Sequence, residues 1–145
     1  MLSNSLSRRV EWGDCNPAGI VFNPNFFKWF DHSTTMLYEA AGWPKPVMIK
    51  TFDIVGCPLI ETSANFMAPC RYGDDVTIES TIAKIGKSSF KIKHRLTCVE
   101  TLCVEGMETR VWTKRDPETG KIGSAPLPEE IVERFSADRS LGAEA

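Results

Sequence analysis

Asp14-Cys15-Asn16-Pro17-Ala18-Gly19-Ile20-Val21-Phe22-Asn23-Pro24-Asn25-Phe26-Phe27 is the stretch on which the reading of this chain turns. It starts as a polar loop, and Pro17 and Gly19 break regular structure and allow a sharp bend. It ends at Asn23-Pro24, a cap residue followed by a proline suited to the first helical position. The free backbone N–H groups of such a helix start attract negative charge, be it a phosphate, a carboxylate or a developing oxyanion. A polar loop leading into an apolar helix is also how ordinary connections look.

Working outward, Asn25 to Ala41 reads as one long helix. Phe26, Phe30, Ser33, Leu37 and Ala40 recur at three- and four-residue intervals, and Gly42 with Pro44 supplies the stop. Phe27, Trp29, Met36 and Tyr38 add apolar bulk off that stripe, so the helix is expected to be covered on more than one side. Asp31 and His32 fall in its middle and are expected to need partners. Upstream, Leu6 to Trp12 alternates as a half-buried strand, with Leu6, Val10 and Trp12 on one face.

Downstream, the helical period disappears after a loop at Trp43 to Asp53 that has room for one short helical turn. Ile54 to Ala68 is extended, with Ile60, Thr62, Ala64 and Phe66 on one face. Val76 to Ile85 alternates, Gly86-Lys87-Ser88 turns, and Phe90 to Cys98 alternates again. There Phe90, Ile92, His94 and Leu96 share one side while Lys91, Lys93 and Arg95 line the other, as in an antiparallel strand with one wet face. Leu102 to Lys114 is a last strand in which Gly106 predicts a bulge or bend. A polar turn at Arg115 to Lys121 and a short helix at Pro128 to Phe135 follow, with fraying expected from Ser136 to Ala145. The order predicts an α+β class: one antiparallel sheet of about five strands wrapped around one long central helix.

At 145 residues the chain is read as a single domain, 1–145, with its core over about 6–135. A net charge of −2 argues against nucleic-acid binding driven by overall charge. No run approaches the roughly 20 apolar residues of a membrane span, and Met1-Leu2-Ser3-Asn4-Ser5 does not begin a signal peptide, so a cytoplasmic location is expected. The cysteines at 15, 57, 70, 98 and 103 are odd in number and form no CxxC pair, and are read as small buried residues. Cys15 alone borders the loop. No metal site is expected, since His32 and His94 are poorly spaced for one.

Trp12-Gly13-Asp14-Cys15-Asn16-Pro17-Ala18-Gly19-Ile20-Val21-Phe22, followed by Pro24-Asn25-Phe26 and Trp29-Phe30-Asp31, resembles the 4-hydroxybenzoyl-CoA thioesterase family of hotdog-fold proteins. Ile54-Val55-Gly56-Cys57-Pro58, Asn65-Phe66 and Lys87-Ser88-Ser89-Phe90 are weaker echoes. The likeness runs over about residues 6 to 135. It implies a hotdog fold, a homodimer with two sites at the subunit boundary, and often a homotetramer. It also implies hydrolysis of an aromatic or medium-sized acyl-CoA, with CoA as part of the substrate and no separate cofactor. By the same resemblance, the backbone N–H of Asn23 polarises the thioester carbonyl, and such donors are typically worth about 3–4 kcal/mol in the barrier. Asp31 meets a phenolic hydroxyl, Asp14 and Cys57 line the substrate, and Lys87, Ser88 and Ser89 meet CoA.

One departure stands out. The family pattern has its catalytic aspartate where this sequence has Asn16, and an amide is a poor base and nucleophile. Three explanations are open. Asn16 is an introduced substitution; or another carboxylate serves, with Asp14, Asp31 and Glu61 the options; or the chain binds acyl-CoA or an acyl-carrier protein with weak or no hydrolysis. A purely structural oligomer leaves the loop–helix motif unexplained.

Overall fold

The computed structural model of the chain describes residues 1–137 and 140–142. Its longest helix, α1, runs Pro24–Ala40 with proline in the first turn. Gly42, at φ +101°, ends it: the Gly42 N–H donates to the Glu39 carbonyl and the Trp43 N–H to the Tyr38 carbonyl. This paired closure needs the left-handed backbone that glycine adopts without strain. The Trp43 to Asp53 segment holds a short helix, α2, at Lys45–Phe52.

The strands are β1 Ser3–Arg9, β2 Leu59–Phe66, β3 Asp75–Ile85, β4 Ser89–Cys98 and β5 Thr101–Val111. They pair antiparallel, as the α+β reading predicts, and the order is β2-β5-β4-β3-β1. Two short strands, β6 Thr113–Arg115 and β7 Ile122–Ser124, make a separate hairpin around the polar turn, and α3 covers Glu129–Ser136. Part of the expected fraying falls outside the described residues, at 138–139 and 143–145. Between them, β8 Ser140–Gly142 pairs parallel with β1, so that segment is not free.

Two further expectations are corrected. The first strand stops at Arg9, and Trp12 opens a 3-10 turn and is exposed, because Asp14 accepts the Glu11 N–H and bends the chain there. Gly106 makes no bulge. It pairs in regular register with Ala64 and His94, and is needed because the Phe30 ring fills the space a side chain would take.

α1 lies on the sheet through Phe26, Phe30, Ser33, Thr34 and Leu37, and Trp29 and Tyr38 are buried as well. Asp31 and His32 fall between those turns and are exposed. Asp31 has the partner expected of it, the buried Arg110, whereas His32 has none among the described residues. Two apolar clusters fill the interior. One joins Leu37, Tyr38, Phe90, Trp112, Ile131 and Phe135 near the C-terminal end of α1. The other joins Val10, Val21, Phe26, Phe30, Cys70 and Val104 near its start.

Candidate active site

The loop before α1 holds its shape with its own atoms. Cys15 and Val21 bridge, the Asn16 N–H donates to the Ile20 carbonyl at 2.9 Å, and the Gly19 N–H returns to the Asn16 carbonyl at 2.9 Å. Gly19 turns the chain at φ +80°. The Asn16 side-chain oxygen accepts the Ala18 N–H at 3.0 Å, a local turn typical of Asn. Its amide nitrogen meets no partner among the described residues.

Asp14 ties the two ends together. Its carboxylate accepts the Glu11 N–H at 2.8 Å and faces Arg8 at 3.3 Å, and its carbonyl accepts the Phe22 N–H and the Asn25 side-chain amide. Both carboxylate contacts fall on Oδ2, so one oxygen of the carboxylate is engaged in holding the loop. Cys15 is half-buried, with its thiol toward the Glu11 carbonyl.

The helix start differs from a side-chain cap. Asn23 has helical angles (φ −48°, ψ −42°) and its side chain caps nothing. The Asn25 N–H is taken by the Phe22 carbonyl and the Phe26 N–H by the Asn23 carbonyl, while Pro24 has none to give. The Asn23 N–H is left without an acceptor among the described residues. It sits at the rim of a groove of about 240 Å³ whose lining includes Val21, Phe26, Phe66 and Met67. A single open donor at the positive end of a 17-residue helix, beside an apolar floor, suits a carbonyl oxygen that gains charge during reaction.

Asp31 lies two turns further along α1, roughly 12 Å from Asn23 by helical rise. Its side chain is 65% exposed, and Arg110 Nη2 holds one oxygen at 2.7 Å. Arg110 and Glu108, which stand behind Asp31, are absent from the residues the sequence singled out. They fall two residues apart in step with Val104, Gly106 and Trp112, which places two charges on the inward face of β5, and that spacing was the available signal. The buried Glu108 accepts from Arg110 Nε at 2.8 Å and Thr34 Oγ1 at 2.7 Å, and lies 3.4 Å from His94 Nε2. Burial opposes its charge, yet hydrogen bonds with His94 and Arg110 prevail and hold it below the ordinary glutamate value.

Of the remaining predicted residues, Cys57 joins Asp31 through Arg110, whereas Lys87, Ser88 and Ser89 lie apart within one chain. Cys57 belongs to the cluster at the far end of α1; burial lifts its thiol to about 11, and its carbonyl accepts from Arg110. Lys87, Ser88 and Ser89 form the β3–β4 turn, where the Lys87 carbonyl accepts the Leu127 N–H and the Ser88 carbonyl the Trp112 N–H. Register separates this turn from the groove. Ser89 pairs with Val111, whereas Phe66 at the groove pairs with Val104, seven residues away along β5 or roughly 24 Å.

Known proteins were compared against this geometry. The family model described as the thioesterase-like superfamily matches residues 10–135. The 4-hydroxybenzoyl-CoA thioesterase of Pseudomonas sp. (strain CBS-3) is 30% identical over 142 residues, covering 92% of this chain and 98% of that protein. Among solved structures, an aspartate-to-asparagine mutant of 4-hydroxybenzoyl CoA thioesterase, complexed with 4-hydroxybenzoyl CoA, superposes with a TM-score of 0.83. It is 30% identical and covers 94% of this chain and 100% of its own. A gentisyl-coenzyme A thioesterase gives 0.77 at 28% identity, with 92% and 99% covered. The open Asn23 amide, the wrapped helix and these likenesses agree, and the chain belongs to the thioesterase-like superfamily as a hotdog-fold thioester hydrolase.

Proposed function

We propose that this protein hydrolyses acyl-CoA thioesters with a hydroxylated aromatic acyl group, at a site assembled from two copies of the chain. The carrying observation is the Asn23 N–H, unclaimed among the described residues and opening on an apolar groove. In this reading water adds across the C–S bond, its hydroxyl going to the acyl carbon and its proton to the departing CoA thiolate. The Asn23 N–H holds the carbonyl oxygen as charge develops, Asn16 orients water or substrate through its unpartnered amide nitrogen, and Asp31 meets the acyl end. Substrate class follows the relatives, which act on 4-hydroxybenzoyl and gentisyl thioesters.

Two features support a homodimeric site. The turn at Lys87, with the exposed Lys114, Arg115 and Lys121 of the neighbouring hairpin, lies at the opposite end of the sheet from Asn23. One chain therefore cannot offer both to one thioester unless CoA spans the sheet. β2 is also an unpaired edge carrying exposed Leu59, Ile60 and Phe66, the kind of edge a second copy covers. A CoA-phosphate role for the Lys87, Ser88 and Ser89 turn, and a tetramer of paired dimers, belong to this proposal.

Asn16 favours a second reading, binding with little hydrolysis, because Asp14 holds the loop through Oδ2 and no other carboxylate lies within the loop. The aspartate-to-asparagine mutant of a relative is likewise complexed with its thioester. Steady-state hydrolysis of benzoyl-, 4-hydroxybenzoyl- and short aliphatic CoA by this chain and by Asn16→Asp separates the readings. The enzyme reading expects turnover that rises by orders of magnitude in Asn16→Asp. If Asn16→Asp cleaves none of them, the hydrolase reading fails; tight CoA-ester binding without turnover then leaves the binding module.

A further inference from the structure

Arg110 is among the most buried charged side chains of the fold, at 6% exposure, and it is aimed at an exposed carboxylate. It stands within β5, paired with Leu59 on one side and Phe90 on the other, so its backbone is fixed from both neighbours. Its three guanidinium nitrogens point in three directions: Nε to Glu108 at 2.8 Å, Nη1 to the Cys57 carbonyl at 3.0 Å, and Nη2 to Asp31 at 2.7 Å. Glu108 already balances its charge. Together with the Cys57 carbonyl, Glu108 also fixes the plane of the fork.

The third arm is therefore not required to satisfy the core. Nor does it add much stability, since one partner is 65% exposed and such pairs are worth little. What it does is remove freedom. An aspartate on an outer helix face samples several rotamers, whereas a rigid fork holds Oδ1 in place and leaves Oδ2 without a partner among the described residues. Behind the fork, Glu108 is braced by Thr34 and His94; His94 Nδ1 lies 2.7 Å from Ser80 Oγ, and its ring stacks on Phe30 at 4.8 Å. Arg110 cannot drift without disturbing that chain.

We propose that Arg110 is the positioning residue for acyl recognition: without touching the acyl group, it fixes the free oxygen of Asp31 so that a ring hydroxyl is preferred over a bare ring. The inference rests on the thioesterase reading above. Lysine would keep the charge but offers a point donor in place of the fork, so orientation rather than charge is what it would lose.

The test is calorimetric binding of two CoA thioethers, alike except for a 4-hydroxyphenyl or a phenyl end, to the full chain and its variants. A hydrogen bond to a charged acceptor predicts at least about a tenfold preference for the hydroxylated end in the parent. Asp31→Ala is expected to abolish the preference with little change in Tm. Arg110→Lys is expected to lower it severalfold. Arg110→Met combined with Glu108→Gln, which removes both buried charges together, is expected to abolish it while the phenyl thioether still binds as in the parent. Retention of the parent preference in a folded Arg110 variant, Arg110→Lys included, overturns the proposal, as does a parent that binds both thioethers equally. A parent that binds neither overturns the thioesterase reading itself, and the proposal with it.

Discussion

The Phe30 ring rests directly on Gly106: a Cβ at residue 106 would come within 2.5 Å of Phe30 Cε2 and 2.8 Å of Cδ2. Phe30 is one of the residues through which α1 seats on the sheet, and its ring also stacks on His94. The depth at which the helix sits is therefore set by a missing methyl group on β5. Gly106→Ala must push the ring or the helix outward, and overpacking of this kind costs about 1–3 kcal/mol. Thermal unfolding should show the loss. Adding Phe30→Leu to Gly106→Ala should recover part of it, whereas Phe30→Leu alone is destabilising by the cavity it leaves. If the two losses simply add, the contact does not set the helix depth.

The Asn23 amide can be removed without a side-chain argument. Residue 23 already has φ −48°, close to the proline range, and its N–H serves no bond among the described residues. Asn23→Pro should fold with a Tm within a few degrees of the parent. Loss of one oxyanion donor is expected to lower kcat by about 10²–10³ while leaving thioether binding nearly unchanged. The comparison is best made in the Asn16→Asp background, where the rate to be lost is larger. A variant that folds and retains kcat would show that the carbonyl oxygen is held elsewhere.

Much of this was legible in the sequence for local reasons. The 3.6-residue stripe through Phe26, Phe30, Ser33 and Leu37 and the glycine stop at Gly42 fix α1 within one turn, because both are set by chain geometry. Alternation likewise located β3 and β4. What stayed hidden depends on distant partners. That Asp14 also holds the loop, with Arg8 and the Glu11 N–H on its Oδ2, is invisible until the chain is folded. Cys57 reads as a thiol in a site motif, whereas the structure buries the thiol and uses its backbone carbonyl to hold Arg110. Gly106 reads as a bulge because nothing nearby in sequence announces the Phe30 ring. Arg110 and Glu108 were readable as inward charges, but their purpose required knowing which face of α1 lies over them.

The same buried cluster predicts an acid-side stability loss. Burial alone would raise the Glu108 carboxyl, but its hydrogen bonds with His94 and Arg110 carry it below the ordinary value of 4.5. A carboxylate depressed in the folded state stabilises the protein above its unfolded value and loses that contribution as pH falls through the folded one. Tm should therefore be steady from neutral pH to about 5 and decline from about pH 4.5 downward. Glu108→Gln should have a lower Tm at pH 7, because Arg110 loses its buried counter-charge, and a shallower decline in acid. Parallel Tm-against-pH curves for parent and variant would show that Glu108 is not the group responsible.

The separation of Asn23 from Lys87 gives the two-chain site its most direct test. Roughly 24 Å of β5 lies between the groove and the β3–β4 turn in one chain. If each thioester lies between copies, it meets Asn23 from one and Lys87 from the other. Asn23→Pro and Lys87→Glu, each made in the Asn16→Asp background and assayed below saturation, should both be impaired as pure proteins. Co-expressed, they form mixed dimers in which one site carries both lesions and the other carries neither. With random pairing, half of the dimers are mixed and half of the sites in those are intact, so activity should return to about a quarter of the parent. A two-fold interface makes this outcome obligatory, since the same surfaces meet in both directions. Activity that stays at the average of the two separate variants, in a sample shown to contain mixed dimers, would place Asn23 and Lys87 in the same chain's site or remove Lys87 from it.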